Sequence, residues 1–184
     1  MKKTAVIFPG MGYTKDRPLL YYAGKLAREK GYDLVHIDYP KIEWSKEKLK
    51  DGAFLLKTLE ECLVSTDDQM KTLSDISSHE VLFISKSIGT VVAAAYDSKN
   101  GINGRHIWFS PLEMIDSYVR DESGILFYGD DDPFADYKKI ELIARDKKLA
   151  TYRIRGGNHS LETGDVLRDI RNCAGIMERV EEML

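Results

Sequence analysis

The chain is poor in residues that would staple it covalently or carry it into a membrane. It has only two cysteines in 184 residues. Cys62 and Cys173 fall on helical patterns far apart in sequence, which argues for reduced, buried thiols and against a disulfide framework. No Cys–His spacing suits zinc, so neither a metal nor another cofactor is expected. Long hydrophobic runs are missing as well. After Met1-Lys2-Lys3-Thr4 only a brief apolar stretch precedes Pro9, too short for a secretion signal or a membrane span, and the cytoplasm is the expected location. Nor does one sign of charge dominate. With 27 basic and 30 acidic residues, a net charge of −3 gives no footprint for nucleic acid or an anionic membrane. Internal repeats, low-complexity tracts and linkers are also absent. The length fits one domain, 1–184, that can bury roughly 70% of its unfolded surface.

What the chain does have is regular alternation. Short apolar, β-branched or aromatic runs predict strands over 4–8, 33–38, 81–85, 105–109, 124–128 and 150–154. Helical patterns lie between and after them, over 17–30, 88–98, 112–119, 134–146 and 164–184. Strand and helix in strict succession imply a mostly parallel sheet of about six strands covered on both faces, a three-layer α/β/α sandwich. The segment 46–76 is helical too, with Leu55, Leu59, Leu63 and Met70 at helical spacing. Ser65-Thr66-Asp67-Asp68 reads as a second N-cap within it, so two helices with a break near Ser65 are expected.

The loop after the third strand carries the most chemistry. Glu80-Val81-Leu82-Phe83-Ile84-Ser85 stops at Lys86-Ser87-Ile88-Gly89, and Thr90 to Tyr96 continues as an Ala-rich helix. A serine on so sharp a strand-to-helix turn has its hydroxyl pushed out at the carboxyl end of the sheet, where the helix N-terminus favours developing negative charge. Small residues flank such a turn because its backbone is crowded; Gly89 is one, and Ser85 stands where glycine is usual. The bland alternative is that Ser87 merely caps the helix. Lys86, inside the turn, reads as a solvated side chain, or as an attractor of an anionic substrate.

Two further loops follow predicted strands. Gly124 to Tyr128 leads into Gly129-Asp130-Asp131-Asp132-Pro133-Phe134, and Leu149 to Ile154 leads into Arg155-Gly156-Gly157-Asn158-His159-Ser160. In a parallel sheet all these loops emerge on one edge, so side chains 45 and 27 residues apart can converge. Asp132 stands directly before Pro133, which holds it extended; Asp130 and Asp131 read as turn-forming or solvent-facing. His36, His79 and His106 lie in or beside strands, with no loop suited to a catalytic base. Asn158 orders the histidine loop or is a plain turn residue.

The order Ser87, Asp132, His159 is that of the α/β-hydrolases, and over its whole length the chain resembles that superfamily. The resemblance implies a serine hydrolase with Ser87 as nucleophile, His159 as general base and Asp132 orienting the imidazole. It also implies an oxyanion hole built from the amide of Ile88 and that of Met11, in the loop Pro9-Gly10-Met11-Gly12-Tyr13 after the first strand. Pro9 stands where the family usually has histidine. Mapped onto the family's eight-strand core, the chain supplies six strands and lacks the first two antiparallel ones. It lacks the usual lid too, since only the 14 residues 110–123 join the fourth and fifth strands. An open, shallow site suits small ester, thioester or other acyl substrates, bound by Gly10, Gly12, Tyr13, Leu112 and Phe134. Met11, Met114 and Leu161 are further apolar candidates, although each could equally be core. A monomer or homodimer is expected, with no nucleic-acid or membrane partner.

Two competing readings remain open. Gly10-x-Gly12, with Asp38 after the second strand, could cradle a dinucleotide, but Lys15 occupies the position of that motif's third glycine. Alternatively, the chain is a non-catalytic binding or interaction module on a hydrolase scaffold.

Overall fold

The computed structural model describes residues 2–45, 47–48, 51–71 and 76–184, with the backbone alone at 77. Its strands are β1 (Lys3–Phe8), β2 (Asp33–His36), β3 (Glu80–Lys86), β4 (Arg105–Phe109), β5 (Gly124–Gly129) and β6 (Ala150–Ile154). Its helices are α1 (Pro18–Glu29), α2 (Gly52–Met70), α3 (Ile88–Asn100), α4 (Tyr137–Asp146) and α5 (Val166–Met183). The strands form one sheet in the order β2-β1-β3-β4-β5-β6. Every pairing is parallel, with Phe8 opposite Ser85, Ser85 opposite Trp108 and Gly129 opposite Ile154.

The strand sequences explain this arrangement. β1, β3, β4 and β5 are buried almost throughout, whereas β2 and β6 at the edges are partly exposed. Only a strand covered on both faces can be apolar at successive residues. Alternation then sorts the side chains into two layers. Val6, Phe8, Phe83, Trp108 and Leu126 meet α2, α3 and α4 through Leu59, Val92 and Ile140. Ala5, Ile7, Leu82, Ile84, Ile107 and Phe127 meet α1 and α5 through Leu20, Ala23, Ile176 and Val180. Each large aliphatic or aromatic side chain so buried contributes about 2 kcal/mol.

Local signals end the helices where the packing needs them to end. Pro18 opens α1, and the carboxylates of Asp51, Asp136 and Asp165 accept amides in the first turns of α2, α4 and α5. Gly101, at φ 60°, closes α3 in the left-handed conformation. α3 is also tied to the sheet by a polar cluster. The Asp97 carboxylate lies 3.0 Å from Nε2 of His106 on β4 and accepts from Arg120 Nη2 at 3.2 Å. Both His106 and Asp97 are almost inaccessible, and the imidazole stacks between Phe83 and Trp108.

The region expected to hold two helices differs. Its ends at 46, 49–50 and 72–75 lie outside the described residues, but α2 runs unbroken through Ser65. The hydroxyls read as a cap bond elsewhere. Thr66 Oγ1 donates to Cys62 O in the turn before, and Ser65 Oγ and Gln69 Nε2 both donate to Asp38 O. Ser65 and Gln69 thereby strut α2 against the chain leaving β2. The helix expected over 112–119 is a five-residue 3₁₀ turn, Glu113–Ser117, and α4 begins three residues later than its pattern, after its Asp136 cap.

Candidate active site

The switch in strand order falls between β1 and β3, with β2 on one side and β4 to β6 on the other. Chain leaving neighbouring strands diverges there and leaves a crevice at the carboxyl edge. Ser87 stands on that edge. Its backbone has φ 56° and ψ −126°, a conformation costly for any residue with a Cβ. It persists because both flanks are pinned: Ser87 N donates to Phe109 O at 3.0 Å, and Thr90 N and Oγ1 donate to Ser87 O at 2.9 and 2.6 Å. Gly89 is required just beyond, since a Cβ there would stand 2.3 Å from Pro9 O and 2.7 Å from Phe8 O. The end of β1 and the start of α3 therefore touch backbone to backbone, as small residues around the turn anticipate.

β5 and β6 deliver the other two groups. Gly129 packs so closely on the histidine loop that a Cβ would lie 1.9 Å from Gly157 O. Asp131 N donates to Gly157 O, and Gly156 N donates to Asp130 Oδ1 at 2.5 Å. Asp130 thus joins the two loops. Asp132 turns inward, almost fully buried, with Oδ1 accepting from Phe134 N at 2.9 Å and Oδ2 lying 2.6 Å from His159 Nδ1. A carboxylate can only accept, so Nδ1 carries the proton and Nε2 is bare. The Ser87 hydroxyl donates to that Nε2 across 2.7 Å. Asn158 shapes the loop that presents the histidine: its Oδ1 accepts from Ser160 N at 2.7 Å and Glu162 N at 3.2 Å. The edge of the Phe134 ring covers the imidazole, 5.0 Å between centroids. Burial, and then the positive charge of Lys86, hold the His159 pKa below the usual imidazole range, against the pull of Asp132.

Lys86 departs from its expected solvated state. It is 1% exposed. Its ammonium donates to His159 O at 2.6 Å and lies 5.2 Å from the Tyr13 ring centroid. The sequence contained the signal: Lys86 is in step with Leu82 and Ile84 on β3, and alternation aims all three at the α1/α5 layer. No pattern in the sequence shows what receives the ammonium, because the acceptor is a main-chain oxygen 73 residues away.

The residues expected to surround the nucleophile divide. Gly10 lies against it, with a Cβ at Gly10 falling 3.0 Å from Ser87 Cβ. The loop is closed by reciprocal Gly10–Tyr13 backbone bonds, which put Met11 and Gly12 at its tip. Gly12 has φ 72°, and the Trp44 ring occupies the space of any side chain there. Ile88 begins α3, so its amide is one of those a helix leaves without an internal partner. Phe134 touches the histidine, while Leu112 is buried in the layer facing α3. Tyr13 packs in the opposite layer with its hydroxyl accepting from Leu19 N at 3.2 Å. Leu161 is buried there as well. The sequence reading also missed a cavity of about 370 Å³ against the Gly10–Gly12 loop, walled by Ile37, Tyr39, Ile42 and Trp44. Among the described residues no cluster of three or more His, Cys, Asp or Glu could hold a metal, and no helix is long and apolar enough to cross a membrane.

No family model matches the chain, and no curated protein matches it. Solved structures do. A serine hydrolase without lid from Xanthomonas campestris superposes with a TM-score of 0.67 at 13% identity, over 98% of this chain and 82% of that one. Est1E from Butyrivibrio proteoclasticus gives 0.66 at 13% identity, over 99% and 86%. An esterase from Pyrococcus furiosus gives 0.64 at 11% identity, over 98% and 83%. The chain has the α/β-hydrolase fold, in a form with six parallel strands and a single short turn between β4 and β5.

Proposed function

We propose that the protein is a serine hydrolase acting on a small ester or thioester through an acyl-enzyme on Ser87. The observation that carries the proposal is the unbroken hydrogen-bond chain from Ser87 Oγ through His159 to Asp132, on a serine held at φ 56°. His159 Nε2 takes the Ser87 proton as Oγ attacks the carbonyl carbon. The amides of Ile88 and Met11 receive the oxyanion, a role in which each donor is worth about 10²–10³ in turnover. The resulting imidazolium returns its proton to the leaving oxygen or sulfur, Asp132 balancing its charge meanwhile. Water then repeats the sequence on the acyl-enzyme and frees Ser87. Gly10 and Gly12 let the loop after β1 close onto Ser87 and Trp44, with Met11 and Phe134 as apolar walls of the substrate site. The short β4–β5 turn leaves the site open, which favours small substrates over long lipids, and the cavity beside Met11 suits one short acyl or aryl group. Two unpaired thiols suit a reducing compartment such as the cytoplasm.

The test is labelling with a fluorophosphonate probe, followed by a panel of p-nitrophenyl and thioester substrates of increasing chain length. Ser87→Ala should abolish labelling and lower turnover by about 10⁶ with an unchanged circular dichroism spectrum. A wild-type protein that neither labels nor hydrolyses any member of the panel would instead be a binding module on a hydrolase scaffold.

A further inference from the structure

Lys86 is built into the site in a way the hydrolase chemistry alone does not demand. It leaves β3 one residue before the nucleophile and turns away from the substrate side, toward α1 and α5. Gly10 packs on this segment, where a Cβ would stand 3.0 Å from Ser87 Cβ and 3.2 Å from Lys86 O. The ammonium ends beneath the histidine loop, on the main-chain oxygen of His159 and against the Tyr13 ring. Among the described residues no carboxylate comes within ion-pairing distance of it. A charge so deeply buried and so sparsely matched is costly, and nothing in the packing of Leu82 and Ile84 requires an amine beside them.

We propose that Lys86 is a positioning residue for the catalytic histidine: it anchors the His159 loop through the main-chain oxygen and, as a cation, opposes protonation of the imidazole. The proposal rests on the hydrolase reading of Ser87 and His159. The groups facing this pair come from every element around it. Asp132 approaches from the loop after β5, Glu162 from the turn after the histidine, Tyr13 from the loop after β1 and Ser87 from the elbow; Asp130 is held by Gly156 N and lies 3.8 Å from Arg153 Nε. On the α1/α5 side, Arg17 and Cys173 act on Tyr13.

The electrostatics agree with the geometry. Burial pushes the Lys86 ammonium down to about 7, against the upward pull of Asp132 and Glu162. Through the weakly acidic range the lysine is therefore still charged while the imidazole titrates, and the two titrations are coupled. Its charge disfavours the imidazolium, so His159 remains a base at lower pH than it otherwise would. Above neutrality the amine keeps an N–H for the His159 oxygen after losing its charge, so the anchor outlasts the electrostatic effect.

Fluorophosphonate labelling rates measured against pH on wild type, Lys86→Met and Lys86→Arg test this. Methionine fills the channel without charge or donor. Its acid limb should move up by about one pH unit, an approximately tenfold loss of labelling near the foot of the wild-type limb. Its plateau should fall as well, since the loop has lost its anchor. Arginine should return the acid limb toward the wild-type position. A merely structural lysine would lower the plateau and leave the limb where it is, and that result overturns the proposal. Should either variant fail to fold, wild-type protein carrying ¹³Cε-labelled lysine answers the same question by NMR. With ¹⁵N-labelled histidine alongside, one lysine signal should respond as the His159 ring nitrogens titrate; a spectrum in which no lysine signal follows that titration would overturn it. If wild type itself is not labelled, the hydrolase reading falls. If it is labelled and the Lys86→Met profile coincides with it, only the role of Lys86 falls.

Discussion

Replacing Asp132 by asparagine removes one charge and almost no volume, and the surrounding hydrogen bonds dictate the consequence. Oδ1 of Asp132 accepts from Phe134 N at 2.9 Å, a part-buried donor that would cost about 1 kcal/mol if left without an acceptor. The asparagine must therefore keep its carbonyl oxygen on that amide. Its NH₂ group then faces His159 Nδ1 across the 2.6 Å now spanned by the carboxylate contact. A donor facing Nδ1 requires that nitrogen to accept, which moves the ring proton to Nε2. The Ser87 hydroxyl, 2.7 Å from Nε2, then meets a donor and loses its base. The expected loss is about 10⁴ in turnover, or roughly 5.5 kcal/mol of transition-state stabilisation. Turnover of p-nitrophenyl acetate measures it, with thermal unfolding as a control for stability. Asp131→Asn should be nearly silent. Asp130→Asn should be mild because an amide oxygen can still accept from Gly156 N. A variant of Asp132 within tenfold of wild type, or a crippled Asp131→Asn, would refute the tautomer argument and the placement of the acid together.

The remaining expectations follow from other contacts. Activity should fall on acidification with a midpoint below the ordinary imidazole value of about 6.5, because burial and Lys86 lower the His159 pKa. Unchanged circular dichroism over the same range would separate this loss from unfolding, and a rate flat from pH 5 to 7 would count against His159 as the base. Gly89→Ala drives a Cβ into two main-chain oxygens, Pro9 O and Phe8 O. Neither can swing aside, so the melting temperature should drop by an amount equivalent to about 3 kcal/mol or more. Asp97→Ala leaves His106 and Arg120 without their shared carboxylate, a loss of about 3–5 kcal/mol, while turnover per folded molecule should persist. The native Asp97 carboxyl is raised by burial but drawn lower overall by His106, and His106 is lowered by burial. Both groups therefore bind fewer protons folded than unfolded, and stability falls as pH drops through the His106 range and then the Asp97 range; denaturant midpoints across that range report it.

The architecture was legible because the central strands are apolar on both faces, a pattern few other structures produce, and because parallel strands must present their carboxyl ends on one edge. From those two facts Ser87, Asp132 and His159 could be brought together without knowing any contact. The misread features share a different character. Ser65 and Thr66 have the composition of a cap, and what decides against a break is Asp38 O, reached across the layer from α2. Lys86 has the composition of a surface residue, and what buries it is the His159 oxygen and the Tyr13 ring. For Ser65 and Lys86 alike the partner lies in a distant segment, where local pattern carries no information.

The contact between Gly129 and Gly157 divides the site into a half that can change and a half that cannot. With a bare strand end set against a bare loop, and Asp130 tying the same loops, a side chain added at Gly129 would pry Asp132 from His159. On the opposite side such contacts are confined to Gly89 under the end of β1 and to Gly10 and Gly12 in the loop after it. The Trp44 ring rests over Gly12 there, in chain that runs from the end of β2 toward α2, and the turn Glu113–Ser117 supplies another rim. Variation among relatives, or in a laboratory seeking new substrates, should therefore accumulate in 37–45 and 110–123, while 129–134 and 155–159 drift hardly at all.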